Sequence, residues 1–228
     1  MRLKTRLHTA LLALSLGFLA CTQDAYDKGQ GTYSLMRVDL VEAHVRADSL
    51  IDYVTTDDGQ LLQLLQPSRH TWVKTTDTLY RAMLYYNLSG QDKAEVLSCA
   101  PVITTKVTPA DSLKEGMKTD PVGLESVWMA RSRRYLNVSI YLKMGESDND
   151  KAVHRLAIVK DTLVENADAT STLCLQLYHD QGNVPAYYSQ RTYFSIPLYD
   201  LQADSVSLTV TTYDGRVTKL FATKQGNN

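Results

Sequence analysis

Beyond residue 30 the chain reads almost without interruption as short runs in which apolar and polar residues alternate, or in which apolar residues crowd together. "TYSLMRVDLVEAHV" alternates and then turns apolar, and "LIDYVTTDDGQLLQLLQ" is two β-rich runs around Asp57, Asp58 and Gly59, a hairpin signal. "TLYRAMLYYNL" and "AEVLSCAPVITTKV" predict two further strands on either side of "SGQDK". Between Thr105 and Asp120 the composition shifts to Lys, Asp, Pro and Gly, which marks the best place for a domain junction, with one helical turn expected after Asp111 as N-cap. The second half repeats the style. "GLESVWMA" and "RYLNVSIYLKM" predict a hairpin around "RSR", and "AVHRLAIVK", "STLCLQLYHD" and "RTYFSIPLYDL" predict single strands. The last run, "DSVSLTVTTYDGRVTKLFATK", predicts a terminal hairpin whose Asp214-Gly215 suits a type I′ turn, with Val206, Leu208 and Val210 on one buried face. Strands at this spacing, with no helical periodicity between them, predict an all-β protein made of sandwiches or barrels.

The first thirty residues follow another rule. Arg2, Lys4 and Arg6 precede an apolar run from Ala10 to Ala20, about 11 residues where a helical membrane span takes roughly 20. This is the pattern of a secretory signal peptide over residues 1–20, removed in the mature protein. "GFLAC" resembles the lipobox of bacterial lipoproteins, which implies cleavage before Cys21 and acylation of its thiol. Each buried methylene contributes about 0.8 kcal/mol, so two or three chains anchor firmly where one does not. The alternative is an ordinary secreted protein whose Cys21 pairs elsewhere. Residues 21–30, polar and without periodicity, read as a tether. The expected place of work is the cell envelope, at the outer membrane, on its periplasmic or its surface face.

Charge narrows the partners. Without the three basic residues of the signal, 24 − 3 = 21 bases face 25 acids, so the mature chain is weakly acidic and lacks the basic footprint of a nucleic-acid binder. The expected partners are the membrane, through the lipid on Cys21, and a protein or glycan ligand. Cys99 and Cys174, far apart in the chain, read either as small buried hydrophobes or as a pair across a domain interface.

The lipoprotein start, "GTYS", "DDG", "DPVGLESVWMARSRRYLNVSIYL" and the closing "YDG" together resemble the NigD-like lipoproteins of Bacteroidetes, along essentially the whole chain. The resemblance implies an N-terminal OB-like β-barrel over residues 31–108, a linker over 109–120 and a C-terminal antiparallel β-sandwich over 121–228. It carries a bacteriocin-operon association, which admits an immunity or accessory role, and no catalytic residues. Exported proteins of these bacteria are often O-glycosylated at Asp-Ser/Thr before an apolar residue. That pattern recurs at Ser49, Thr78, Ser112, Thr162 and Ser205, where the competing reading is a turn opened by local hydrogen bonds.

Catalytic chemistry finds little support. His44, His70, His154 and His179 have no metal-ligand spacing, no G-x-S-x-G is present, and Glu146, Asp148 and Asp150 lack the rest of an EF-hand loop. No cofactor or metal is called for and no enzyme is expected. Aromatic residues are the more suggestive class. Trp72, Tyr80, Tyr85 and Tyr86 fall in the barrel half, where OB folds bind oligosaccharides or oligonucleotides on a strand face; the competing reading is packing. Trp128, Tyr187, Tyr188 and Tyr193 fall in the second half. Arg131, Arg133 and Arg134 read as a solvated turn or as an anion site.

Overall fold

The closed strand order β1-β2-β3-β5-β4 is the first architectural fact of the computed structural model, which describes residues 31–146 and 152–223. These strands are β1 (Arg37–Val45), β2 (Leu50–Thr56), β3 (Leu61–Arg69), β4 (Thr78–Ser89) and β5 (Lys93–Pro101). All neighbours are antiparallel except β3 and β5, and the result is the expected OB-like barrel. Alternation supplies its core: Val41, Ala43 and Val45 of β1 meet Ala82, Leu84 and Tyr86 of β4 inside. Gly59, at φ +84°, closes the β2–β3 hairpin in the left-handed region where a Cβ is costly.

The chain leaves the barrel at Val102, whose N–H donates to the carbonyl of Arg81 at 2.9 Å. It then supplies β6 (Ile103–Thr104) and β7 (Val107–Pro109), one strand to each sheet of the sandwich. Residues 103–109 therefore already belong to the second half, ahead of the junction expected at 109–120. The expected helical turn is a three-residue 3-10 turn at Ala110–Ser112, entered from Pro109 and without a side-chain cap, so Asp111 lies inside it.

The sandwich strands are β8 (Gly123–Met129), β9 (Tyr135–Met144), β10 (Arg155–Glu165), β11 (Ser171–Asp180), β12 (Tyr188–Pro197), β13 (Ser205–Thr212) and β14 (Gly215–Ala222). One sheet runs β14-β13-β11-β10-β7 and the other β6-β12-β9-β8. Pairing is mostly antiparallel, with parallel contacts at β6–β12, β7–β10 and β11–β13. Leu136, Val138 and Ile140 of β9 pack against Leu173, Leu175 and Leu177 of β11 and against Val206, Leu208 and Val210 of β13. The closing hairpin forms without the expected type I′ turn: only Gly215, at φ +119°, has positive φ there, so Tyr213 and Asp214 make the turn and Gly215 follows it. Residues from Arg37 onward form one compact unit.

Candidate functional site

Burial on β1, β4 and β9 departs from strict alternation, and the reason locates the site. Leu40, Val41, Glu42 and Ala43 are all buried, as are six consecutive residues from Tyr135 to Ile140. A strand buried on both faces is covered twice, here by its own core and by the other half of the molecule. The outward faces of β1 and β4 thus meet the outward face of β9 and β12 in a polar seam.

Arg81 is the centre of that seam. Its side chain is 1% exposed. Its Nη2 donates to Asp57 at 2.7 Å and to Asn137 Oδ1 at 3.1 Å, its Nε donates to Ser195 Oγ at 3.0 Å, and its guanidinium lies 4.1 Å over the Tyr135 ring. Asn137 also donates to Asp57 at 2.7 Å, and Ser195 to Asn137 at 2.8 Å. Arg81 Nη1 alone in this group is buried with no partner. Beside it, Glu42 accepts from Arg134 Nε at 3.1 Å and Nη2 at 2.9 Å, and from the Tyr135 hydroxyl at 2.8 Å. Burial, and then Glu42, push the Tyr135 hydroxyl well above the ordinary tyrosine range. A buried cation needs this density of partners, because removing one leaves an uncompensated charge.

Farther along the same faces the two halves separate into a cleft of about 850 Å³. Val38, Met83 and Tyr85 line it from the barrel, and Trp128, Tyr193 and Arg191 from the sandwich. Its carboxylates are mostly satisfied within its own walls. Asp39 accepts from the Tyr86 hydroxyl at 2.8 Å, Asp57 holds Arg81, and Glu125 pairs with Arg191 at 2.7 Å. Glu125 also accepts from Ser139 and from the Tyr141 hydroxyl. The Ser139 hydrogen bond foremost, with Tyr141 and Arg191, holds the Glu125 carboxyl below its ordinary range, so it is an anchored carboxylate. Arg131 points to the same cleft and makes no hydrogen bond or ion pair among the described residues. Aromatic faces with a few placed polar groups are the lining of a binding site.

The four barrel aromatics separate. Tyr86 is 1% exposed in the barrel core, and burial and Asp39 push its hydroxyl up to about 12. Trp72 stacks on His70, meets Tyr80 edge-on and donates to the Cys99 carbonyl at 3.3 Å. The Tyr80 hydroxyl accepts from the backbone N–H groups of Lys74 and Thr75. Tyr85 lines the cleft, on the opposite face of β4 from Tyr86. The basic turn "ARSRR" is neither solvated throughout nor a common anion site: Arg134 holds Glu42, Arg133 donates to the Ala222 carbonyl at 2.6 Å, and Arg131 alone is left over. Charge composition could not show this, because Glu42 is distant in sequence.

Of the candidate modification sites, Ser49 lies in the β1–β2 turn, Thr78 begins β4 and Thr162 is exposed on β10. The Ser112 hydroxyl donates to the Pro109 carbonyl at 2.6 Å, and the Ser205 hydroxyl is engaged with Thr172 at 2.7 Å. Cys21 lies outside the described residues, as do Asp148 and Asp150 of the acidic turn. Cys99 and Cys174 are free thiols, and burial in the barrel raises the Cys99 thiol to about 11. Among the described residues no group of three or more His, Cys, Asp or Glu could hold a metal ion, and no helix is long and apolar enough to cross a membrane.

Two histidines that sequence spacing kept apart do meet. His154 Nδ1 lies 2.9 Å from His179 Nε2, His154 Nε2 lies 2.9 Å from the Lys143 carbonyl, and His179 Nδ1 lies 2.9 Å from the Asp120 carbonyl. Carbonyls end the chain at both sides, so all three bonds need three N–H groups, one more than two neutral rings supply. The neutral pair therefore makes two of the three at a time. Burial lowers the pKa of His179 and so favours its neutral ring. Gly182 is obligatory nearby: at φ +59° its Cβ would fall 2.2 Å from the Val153 carbonyl.

A closed OB-like barrel joined by a buried polar seam to a two-sheet sandwich, with a cleft where the seam opens, is a two-part all-β class. Residues 104–221 match the NigD-like C-terminal beta sandwich domain, and the chain belongs to that NigD-like family. Solved structures repeat the architecture. A NigD-like immunity protein from Bacteroides caccae is 24% identical, with 82% of this chain and 96% of that chain covered and a TM-score of 0.63. A candidate toxin-related protein from Parabacteroides distasonis is 17% identical, with 82% and 92% covered and a TM-score of 0.61. A candidate lipoprotein from Bacteroides fragilis is 12% identical, with 84% and 99% covered and a TM-score of 0.60. At these identities the likeness is one of fold. No curated protein matches the sequence.

Proposed function

We propose that the protein is a non-catalytic cell-envelope module, anchored through lipid on Cys21, that binds a protein or glycan ligand in the cleft between barrel and sandwich. The observation that carries this reading is the cleft itself. It combines the half-buried aromatics Tyr85, Trp128 and Tyr193 with walls in which Asp39, Asp57 and Glu125 are tied down. Glu125, held ionised by Ser139, Tyr141 and Arg191, suits an ion pair better than proton transfer, which favours binding over hydrolysis. The short apolar leader and "GFLAC" support the anchor, as does the candidate lipoprotein among the structural neighbours. The test has two arms. Cys21→Ala is expected to move the protein from the membrane to the soluble fraction with its fold intact, and a variant that stays wholly with membranes removes the anchor. Trp128→Ala is expected to abolish ligand capture while lowering the melting temperature by only a few degrees.

A second reading, immunity or another accessory role beside a bacteriocin, is favoured by the neighbour described as a NigD-like immunity protein. Deleting the gene should then sensitise the producing strain to its own toxin. Unchanged sensitivity would count against it.

A further inference from the structure

Each sheet of the sandwich ends in one long strand, β14 in one and β8 in the other. Exposed edges invite pairing with another chain, and proteins blunt them with brevity, Lys or Pro. β6 and β7 are two and three residues long, and β14, "GRVTKLFA", carries Arg216 and Lys219. β8, "GLESVWM", has no Lys or Pro, and its one charge, Glu125, lies in the first half of its seven residues. All of them keep part of their surface in water, whereas the adjoining β9 opens with six buried in succession. The bulge between Leu124 and Ser126 disturbs only the first half of β8. The Ala130 N–H donates to Tyr135 across the hairpin, so antiparallel alternation turns the N–H and C=O of Val127 and Met129 away from β9. Among the described residues no strand pairs with them.

Space lies on both sides of this edge. The aromatic cleft borders its outer face at Trp128, and a second groove of about 620 Å³ borders the other side, lined by Leu124, Val127, Tyr213 and Val217. A strand laid against β8 would send alternate side chains into the two grooves, because side chains of a strand alternate across the sheet. A sugar would use the Trp128 face and leave the outward amides and the second groove idle. The unpaired Arg131, at the hairpin end of the edge, adds a place for a carboxylate.

We propose that β8 is a docking edge for an extended peptide segment of a partner protein, which pairs its main chain with Val127 and Met129, sets apolar side chains in the two grooves and places an acidic residue near Arg131. This deepens the cleft reading above and rests on it. The test pans a phage-displayed library of random peptides against the full chain, then titrates synthetic copies of the peptides selected. Val127→Pro removes an amide that faces outward, a position where an edge strand tolerates proline. It should weaken binding about tenfold, the worth of one backbone hydrogen bond. Peptides N-methylated at alternate residues should lose binding in one register and keep it in the other, a measurement that stands even if Val127→Pro fails to fold. Peptides indifferent to both changes but weakened by Trp128→Ala would overturn the strand mode and leave the cleft reading in place. Peptides indifferent to Trp128→Ala as well would overturn both. If no peptide binds and a neutral glucan oligosaccharide quenches Trp128 fluorescence, the edge proposal falls and the cleft is a sugar site.

Discussion

Arg81 and Tyr85 lie on the same outward face of β4, yet one is sealed and the other half-exposed. At Arg81 the two halves of the molecule touch, water is excluded, and the cation is met by Asp57, Asn137, Ser195 and the Tyr135 ring. At Tyr85 the halves diverge, and among the described residues the Tyr85 hydroxyl donates to nothing but Met83 Sδ, at 3.3 Å. The difference teaches how to tell glue from site on one surface. A dry interface can keep polar groups only if they are paired within the fold, whereas a wet cleft can leave some for a ligand.

The largest test of that contrast is Arg81→Ala, which strands Asp57 and Asn137 and should cost about 3–5 kcal/mol. For a chain of this size that lowers the melting temperature by roughly 10 °C. Arg81→Met, which fills the space but also removes the charge, should also destabilise because Asp57 remains, and Arg81→Met with Asp57→Asn should recover part of the loss. A melting temperature that ignores Arg81→Ala would show that the seam does not hold the halves together. Glu42→Ala comes next, at about 1–3 kcal/mol, because Arg134 can still turn to water while the Tyr135 hydroxyl cannot.

Acid should act away from the seam. The His179 pKa is depressed by burial, so its contribution to stability is fully present above about pH 6.5 and is lost as pH falls towards its folded pKa. Melting temperatures measured from pH 7 to pH 5 should therefore decline, and His179→Gln should flatten the slope. A slope that persists unchanged in the variant assigns the acid sensitivity elsewhere. The smallest effects on stability belong to the cleft: Tyr85→Ala and Trp128→Ala should each cost about 1 kcal/mol in denaturant unfolding. A loss as large as that of Arg81→Ala would make the cleft part of the core.

Much of the fold was legible because its causes are local. Alternation in "SVSLTV" placed Val206, Leu208 and Val210 in the core, and "DDG" closed the β2–β3 hairpin at Gly59. Turn detail was less legible: Asp214-Gly215 suggested two positive φ values, and the fold uses one. The site was legible only in part. Tyr85 and Tyr86 were separable by period two, but Trp72 and Tyr80 looked equally free, and nothing local revealed that Cys99, Lys74 and Thr75 occupy them.

By itself, the sequence determined the all-β class, since period and turn residues act over neighbouring residues, and its likeness to a known family model determined the family. Only the tertiary structure decided that Glu42, Arg81, Asn137 and Ser195, polar residues at outward strand positions, are a buried seam. It also decided that Arg131 is left unpaired among the described residues while Arg134 is held by Glu42, and that β8 is a long edge strand beside a cleft. Those outcomes depend on which outward faces meet, and partners such as Glu42 and Arg134, 92 residues apart, are chosen by the packing of whole sheets.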